Sequence, residues 1–138
     1  MIKLFFLFSE DNNSFGVNKV VNILAQELKK YCSINNKFST LEFIKSKKNI
    51  IHIHGCWSIK IFIYFIIGKI FRKKIILSPH GMLDPYSFTQ KPLKKKFAWI
   101  LFQKLIVNKS NIIIVNSNIE KKNIKKLINK KEIYVIPH

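Results

Sequence analysis

The sequence predicts a doubly wound α/β domain, with a mainly parallel sheet and helices on both of its faces. Short apolar segments alternate with helical segments along the chain, which is the pattern of repeated β-α-β units. Two of the apolar segments end in a histidine followed by a glycine, at His54-Gly55 and His80-Gly81. Since ligands bind outside the carboxyl ends of parallel strands, the two pairs predict a binding crevice at one edge of the sheet.

The elements at the start of the chain are two strands and a helix. The apolar run Ile2–Phe8 predicts a first, buried strand, and the polar, asparagine-rich stretch Ser9–Phe15 predicts a loop. Apolar residues recur at helical spacing over Gly16–Tyr31, which predicts the first helix. The segment Phe38–Ile44 is a weaker second strand, because Ser, Thr and Glu dilute its apolar character.

The middle of the chain continues the alternation. We expect a third strand over Ile50–His54 and a fourth over Lys74–Ser78, with the helix Ser58–Phe71 between them. That helix is apolar nearly all round, so it is either deeply packed or partly in contact with lipid. Gly81–Gln90 is expected to be a loop, and Pro92–Val107 a long helix that begins strongly basic and then becomes apolar.

The last segments predict two strands and a short helix. Asn111–Val115 is the fifth strand. Ser117 and Glu120 have the spacing of a capping box, which predicts a short helix that ends at about Ile128. Ile133–Ile136 is the last strand, and we expect all 138 residues to form a single domain, 1–138.

Composition limits the classes of function. The 138 residues include 25 basic and 7 acidic residues, a formal net charge of +18, which favours phosphates and anionic membrane surfaces. Cys32 and Cys56 lack CxxC spacing and predict free thiols in a reducing, cytoplasmic compartment. The longest apolar run, Ile61–Ile67, is far shorter than the about 20 residues that span a bilayer.

The histidines allow two interpretations. His52, His54 and Cys56 stand at alternate positions and, with His80, could form a metal site. The favoured interpretation is that Gly55 ends the strand and that the histidines are hydrogen-bonded, so no metal is expected. His80 is then the sharpest candidate, because a histidine before a glycine at the rim can donate a hydrogen bond or transfer a proton; a packing role is its alternative.

Other candidates lie at the same rim. Asp84 and Glu120 are the acids nearest to it, but Glu120 has the position of a capping residue and Asp84 precedes a proline, which is typical of a turn. The turn at Gly16 could present helix N–H groups to an anion, or be an ordinary strand-to-helix connection.

Four lysines, which we call the lysine cluster, begin the long helix: Lys91, Lys94, Lys95 and Lys96. Positive charge there opposes the helix dipole, which suggests an external anion. The alternative is an ordinary solvated face.

Several segments, spread over nearly the full length, together resemble the N-terminal domain of glycosyltransferase family 4, the retaining enzymes of the GT-B fold. They are the glycine turn and first helix (16–28), an HxHGxWS-like segment (51–58), an S-x-HGML-x-P-like segment (78–85), an ATS-x-x-E-like segment (115–120) and a VIPNG-like strand (134–137). The HGML segment is the most specific of them.

The resemblance implies a Rossmann-like domain that helps to transfer a sugar from a nucleotide-sugar donor to a polysaccharide or lipid-linked acceptor. It implies a catalytic contact from His80 and substrate-binding positions at Gly16, His54, Gly55, Trp57, Gly81, Asp84 and Glu120. No metal or other cofactor is implied. The lysine cluster and the apolar helix 58–71 would contact the cytoplasmic face of an anionic membrane.

The chain also departs from the family. Phe15-Gly16 replaces the usual paired glycines, and the 138 residues contain neither the second, donor-binding domain nor its E-x7-E motif. We therefore expect half of an enzyme, inactive alone, from a fragment or from a split gene with a separate C-terminal half. The rival class is a non-catalytic basic module or decayed fragment on anionic membrane or nucleic acid. Specific nucleic-acid binding is disfavoured, since no recognition motif is present and Arg72 is the only arginine.

Overall fold

The core of the fold is a six-stranded sheet in which every pairing is parallel. The computed structural model describes residues 2–8, 15–35, 40–45, 49–129 and 132–137. Its strands are β1 (Lys3–Phe8), β2 (Ser33–Asn35), β3 (Asn49–His54), β4 (Lys74–Ser78), β5 (Ile112–Val115) and β6 (Ile133–Val135). The strand order is β2-β1-β3-β4-β5-β6, which confirms the predicted doubly wound, Rossmann-like α/β class.

The connections between the strands are helical. The helices are α1 (Phe15–Leu28), α2 (Thr40–Lys45), α3 (Ile59–Ile70), α4 (Pro85–Thr89), α5 (Pro92–Ala98), α6 (Lys104–Lys109) and α7 (Asn118–Leu127). A π-helical turn, Trp99–Gln103, joins α5 to α6 without a break. None of the helices in the described part of the chain is both long and apolar enough to cross a membrane.

Alternate residues of β1 pack on opposite faces of the sheet. Leu4 and Phe6 contact one buried cluster, which Val21 and Ala25 of α1 complete. Phe5 belongs to a second, larger cluster, whose helical members come from α2, α3, α6, α7 and the π-helical turn: Phe43, Ile61, Phe65, Phe102, Ile106, Val107 and Ile124. Helices therefore cover both faces, because the side chains of a buried strand alternate in direction.

The fold differs from the prediction over 40–44, the described part of the expected strand. We expected a strand there, but Thr40–Lys45 is helix α2, and the second strand is the short Ser33–Asn35. In α2 the Phe43 ring is fully buried and packs edge-on against Phe5, with ring centroids 5.4 Å apart. The short helix places the Phe43 ring in the core and leaves Leu41 exposed. Tertiary packing therefore overrides the local β pattern.

Two smaller differences affect the rim. The expected loop 81–90 contains helix α4, which begins at Pro85, and the expected long helix 92–107 includes the π-helical turn. The other strands and helices agree with prediction to within a few residues at each end. Residues 1, 9–14, 36–39, 46–48, 130, 131 and 138 lie outside the described residues, and they include the predicted polar loop except Phe15.

Candidate functional site

The two predicted strand ends meet at one edge of the sheet. His54 closes β3 and pairs in register with Ser78, the last residue of the neighbouring β4. His80 follows two residues later, and its Nε2 lies 3.0 Å from Nδ1 of His54. The two rings are nearly parallel, at an interplanar angle of 18°. In this hydrogen bond one nitrogen donates and the other accepts, so at least one of the two rings is neutral.

A further histidine, His52, contacts this pair on the side of the strand. His52, two residues earlier on β3, forms a hydrogen bond of 2.8 Å between its Nε2 and the Ser78 hydroxyl. Its ring lies 4.0 Å from that of His54, and Phe6 packs edge-on against both. No group of three possible ligands is placed to hold a metal ion among the residues described. His52 is hydrogen-bonded to Ser78 and His54 to His80, which is the hydrogen bonding that the favoured interpretation expected of these histidines.

The backbone around the pair adopts left-handed conformations. Gly55 and Gly81 have φ values of +91° and +75°, and His80 itself has a φ of +54°. Only glycine adopts such values without strain, which accounts for a glycine after each rim histidine. Gly55 also ends β3, as predicted, and donates its N–H to the Ser78 carbonyl at 2.8 Å.

Glu120 holds the His80 loop in place. Its carboxylate is buried, with 4% of the residue exposed, and it accepts hydrogen bonds from the N–H groups of Gly81 at 2.7 Å and Asn116 at 2.9 Å. Its own N–H donates to the Ser117 hydroxyl at 3.1 Å, which confirms the predicted cap of α7. Glu120 therefore joins three segments of the rim: the His80 loop, the end of β5 and the start of α7.

Trp57 connects the other rim loop to the His80 loop, to α5 and to the π-helical turn. Its backbone N–H donates to Gln103 Oε1 at 2.9 Å, and its indole N–H donates to the Met82 carbonyl at 3.2 Å. Lys95 lies 5.5 Å from the centroid of the indole ring, in cation–π geometry. Trp57 is half-buried, and both its backbone N–H and its indole N–H donate to other protein groups. It therefore fixes the conformation of the rim loop.

The predicted lysine cluster separates into two environments. Lys91, Lys94 and Lys96 are exposed. Lys95 instead donates to the carbonyl and hydroxyl of Ser87 at 2.6 and 2.9 Å, and burial lowers the pKa of its ammonium group. Three of the four lysines therefore face solvent, while Lys95 binds α4 to α5.

Asp84 and Gly16 occupy the outer parts of the rim. The Asp84 carboxylate accepts a hydrogen bond of 3.0 Å from the Asn123 side chain of α7, and Asp84 precedes Pro85 at the start of α4. Gly16 is exposed in the first turn of α1, which follows β1 in the chain, and a side chain there would meet nothing within 4 Å. The Asp84 N–H also donates to the Gly81 carbonyl at 3.1 Å, so Asp84 is part of the His80 loop.

Cys56 lies beside this site, but its thiol has low reactivity. Burial raises the pKa of its thiol far above the usual range, and the nearby Glu120 carboxylate raises it further. A thiol held protonated is a poor nucleophile and a poor metal ligand. Cys56 therefore serves as part of the buried core.

Some contacts of the site carry no signal in the sequence. Gln103 and Asn123 bind rim segments together, yet each stands in an unremarkable helical context. Met82 also binds the two rim loops together, but it belongs to the HGML segment. Gln103 lies within the π-helical turn, a feature that often occurs at functional sites but cannot be recognised by apolar spacing. A buried glutamine on an otherwise apolar helix face was the one available hint.

The arrangement can perform hydrogen-bond and proton chemistry on a ligand at the rim. His80 is partly exposed and is oriented by the buried His54, and the Gly81 turn is fixed by Glu120. A histidine whose ring is held in place can donate a hydrogen bond to a developing negative charge.

Comparison with known proteins gives one match. A family model described as Glycosyltransferase Family 4 matches residues 33–138, which include both rim histidines and Glu120. The searches of curated proteins and of solved structures give no match.

Proposed function

The chain belongs to glycosyltransferase family 4, and we propose that it forms the acceptor-side domain of a retaining enzyme of the GT-B type. The donor in this proposal is a nucleotide sugar, and the acceptor is a polysaccharide or a lipid-linked saccharide at the cytoplasmic face of a membrane. Neither a metal ion nor another cofactor has a role in it.

The observation that carries the proposal is the contact between His54 and His80 at the carboxyl edge of the sheet, 3.0 Å long. The family match includes both residues, and an α/β sheet of this kind binds its ligands at that edge. The buried His54 constrains the ring of the partly exposed His80, so that the reacting sugar would meet a donor that is already oriented. Such preorganisation favours the transition state over the bound substrate.

The other rim residues have supporting roles in this proposal. The start of α1 at Gly16 would face the donor phosphates, since helix N-terminal N–H groups attract anions. Glu120 would act through the His80 loop that it binds, and Trp57 would form the wall of the acceptor side. Asp84, held by Asn123, would limit how the loop moves.

A second domain would supply the rest of the donor site. Family resemblance assigns the nucleotide and the E-x7-E glutamates to that domain, and the 138 residues contain no such motif. We propose that the completed enzyme pairs this domain with a donor-binding domain of the same family, either on the same chain or as a separate subunit.

The test is reconstitution. The full chain is combined with a family-4 donor-binding domain that carries E-x7-E, and sugar transfer from a panel of labelled nucleotide sugars to lipid-linked and polysaccharide acceptors is measured. We expect transfer with retention of anomeric configuration, and weak nucleotide-sugar binding by the chain alone. The absence of transfer from every donor to every acceptor, in a complex shown to assemble, would contradict the proposed reaction. If calorimetry showed that the chain alone binds a nucleotide sugar tightly and stoichiometrically, the proposal that the second domain binds the donor would be contradicted.

A further inference from the structure

Four large apolar side chains, the fourth being Leu101, lie exposed on the helical run from α5 into the π-helical turn, and three of them form one stripe. Leu93 is 84% exposed, Phe97 66% and Ile100 70%. They stand four and three residues apart, which places them on the same side of a helix. Single exposed apolar residues are normal on a protein surface, but a contiguous row of large ones marks an interaction site.

The fold does not need this stripe for its own core. The inward side of the same helical run is supplied by Phe102, Ile106 and Val107, which are buried against the sheet. The run is therefore apolar on two sides, and only the inner side has a role in packing. The outer side needs another explanation.

Lysines accompany the exposed stripe. Lys94 and Lys96 flank Phe97 on the helix, Lys104 follows Ile100 by about one turn, and all three are exposed. No aspartate or glutamate occurs in the sequence between Asp84 and Glu120. The surface formed by Leu93, Phe97 and Ile100 with Lys94, Lys96 and Lys104, which we call the α5 surface, is thus both apolar and uniformly positive.

We propose that the α5 surface docks on an anionic lipid bilayer. Basic helices with an apolar side lie in the plane of the membrane interface, with the apolar side chains below the headgroups and the lysines among them. The helical run from Pro92 to Lys109 is about 27 Å long, at about 1.5 Å per residue, which is enough for such a contact. This inference deepens the proposed function and rests on it only for the placement of a lipid-linked acceptor.

The surface differs from the one that the sequence predicted. Lys95 is excluded, because its ammonium group is bound to Ser87 and lies over Trp57. The exposed isoleucines of α3, at 59, 63 and 70, form the competing candidate. Helix α3 carries only Lys60 and Lys69, whereas exposed lysines lie on both sides of the apolar row of the α5 surface.

The charge and the side-chain chemistry of the α5 surface favour a bilayer over other binding partners. A second copy of the chain would bring Lys94, Lys96 and Lys104 of both copies together, and like charges repel. Nucleic acid would be bound through phosphates, and aliphatic side chains at Leu93 and Ile100 offer no stacking platform for bases. A fluid, anionic and apolar partner satisfies both components of the surface.

The experiment measures partitioning of the full chain onto vesicles of phosphatidylcholine with and without phosphatidylglycerol. We expect preference for the anionic vesicles, weakened by salt. The triple variant Lys94→Gln, Lys96→Gln, Lys104→Gln should lower partitioning about 100-fold, at about fivefold for each lysine. The variant Leu93→Ser, Phe97→Ser, Ile100→Ser should lower it by about tenfold or more, and urea midpoints should stay unchanged because these side chains are exposed.

Matched controls distinguish binding through the α5 surface from nonspecific binding that depends on total charge or on exposed apolar area. Lys122→Gln, Lys125→Gln, Lys126→Gln on α7 removes the same charge, and Ile59→Ser, Ile63→Ser, Ile70→Ser on α3 removes similar apolar area; both should bind nearly as the native chain does. The proposal would be overturned if either control lost as much partitioning as the matching α5 variant, or if the native chain bound neutral vesicles equally well. It would also be overturned by self-association that the Leu93, Phe97 and Ile100 variant abolishes, or by lysine-dependent RNA binding in place of vesicle binding. Because no transfer reaction is measured, failure here leaves the proposed enzymatic function to its own test.

Discussion

The carboxylate of Glu120 binds the backbone N–H of Gly81 at 2.7 Å, across the gap between helix α7 and the loop of His80. The second carboxylate oxygen binds Asn116, so both oxygens accept from the backbone. Hydrogen bonds to a charged acceptor are the stronger kind, and these two are buried. The loop conformation that presents His80, with its left-handed φ, therefore depends on a residue forty positions away in the chain.

Replacing this carboxylate should destabilise the fold. Glu120→Gln substitutes an amide for one acceptor oxygen, so an NH₂ group faces a backbone N–H and a buried donor loses its partner. We expect a loss of about 1–3 kcal/mol in the free energy of unfolding, measured by urea denaturation. The matched control is Glu27→Gln, which removes an exposed ion pair with Lys30 on α1 and should cost less than about 0.5 kcal/mol. Equal effects from the two variants would mean that the Glu120 contacts contribute little.

The strand ends could be predicted because their signal is local. A buried parallel strand appears as a continuous apolar run, and a glycine after it marks the left-handed turn, as at Gly55 and Gly81. The capping pair Ser117 and Glu120 was readable for the same reason. What the spacing could not show is that Glu120 also reaches Gly81, because that contact exists only after β4 and β5 pair.

The errors have one physical origin. Helix α2 was expected to be a strand because its sequence has weak β character, whereas the helix is held by tertiary contacts such as the packing of Phe43 on Phe5. The exposed row from Leu93 to Ile100 was also missed, because apolar periodicity identifies a stripe but not what covers it. Both depend on tertiary contacts that a single sequence does not contain.

The close approach of α3 to β3 predicts an unusual mutational result. A Cβ at Gly68 would overlap Cδ1 of Ile51, a buried atom in the core. Alanine in a helix interior normally gains about 1 kcal/mol over glycine, but overpacking a core costs about 1–3 kcal/mol. We therefore expect Gly68→Ala to destabilise the native chain, as measured by chemical denaturation.

A second substitution should reverse that sign. Ile51→Val removes the Cδ1 atom, so Gly68→Ala made in the Ile51→Val background should be neutral or stabilising. The double-mutant cycle measures the coupling directly, which we expect to be about 1–2 kcal/mol. Additive effects within about 0.3 kcal/mol would show that the helix does not press on Ile51.

The two thiols should differ in reactivity. Burial raises the pKa of the Cys56 thiol far beyond its ordinary value, and Glu120 adds to the effect. Cys32 is only partly buried, although burial raises its pKa as well. Since the thiolate is the reacting form, raising the pH from neutral towards 9.0 should speed modification of Cys32 and leave Cys56 unmodified in the folded chain. A thiol titration that finds two rapidly reacting groups without denaturant would contradict the burial of Cys56.

His80 offers the sharpest test of the proposed site. Its ring is partly exposed and contributes little to the core, while its Nε2 is held at 3.0 Å by His54. In the reconstituted enzyme, His80→Ala should lower the transfer rate by about 100-fold or more, the scale for one preorganised donor in a transition state. The free energy of unfolding of the same variant should change by about 1 kcal/mol or less, because the ring buries little surface.

The matched variant is His80→Asn. Asparagine is one of the few residues other than glycine that readily adopt a left-handed φ, which is +54° at this position. It should keep the urea midpoint of the native chain and still lose transfer, because its shorter amide cannot reach the position that the imidazole occupies. Normal turnover in both variants would remove His80 from the mechanism. A large fall in the urea midpoint of both, with a proportionate loss of transfer, would instead identify a histidine whose role is to hold the rim together. A rate loss without a stability loss is the combination that only a contact with the reacting sugar explains, because a purely structural ring would lower both together.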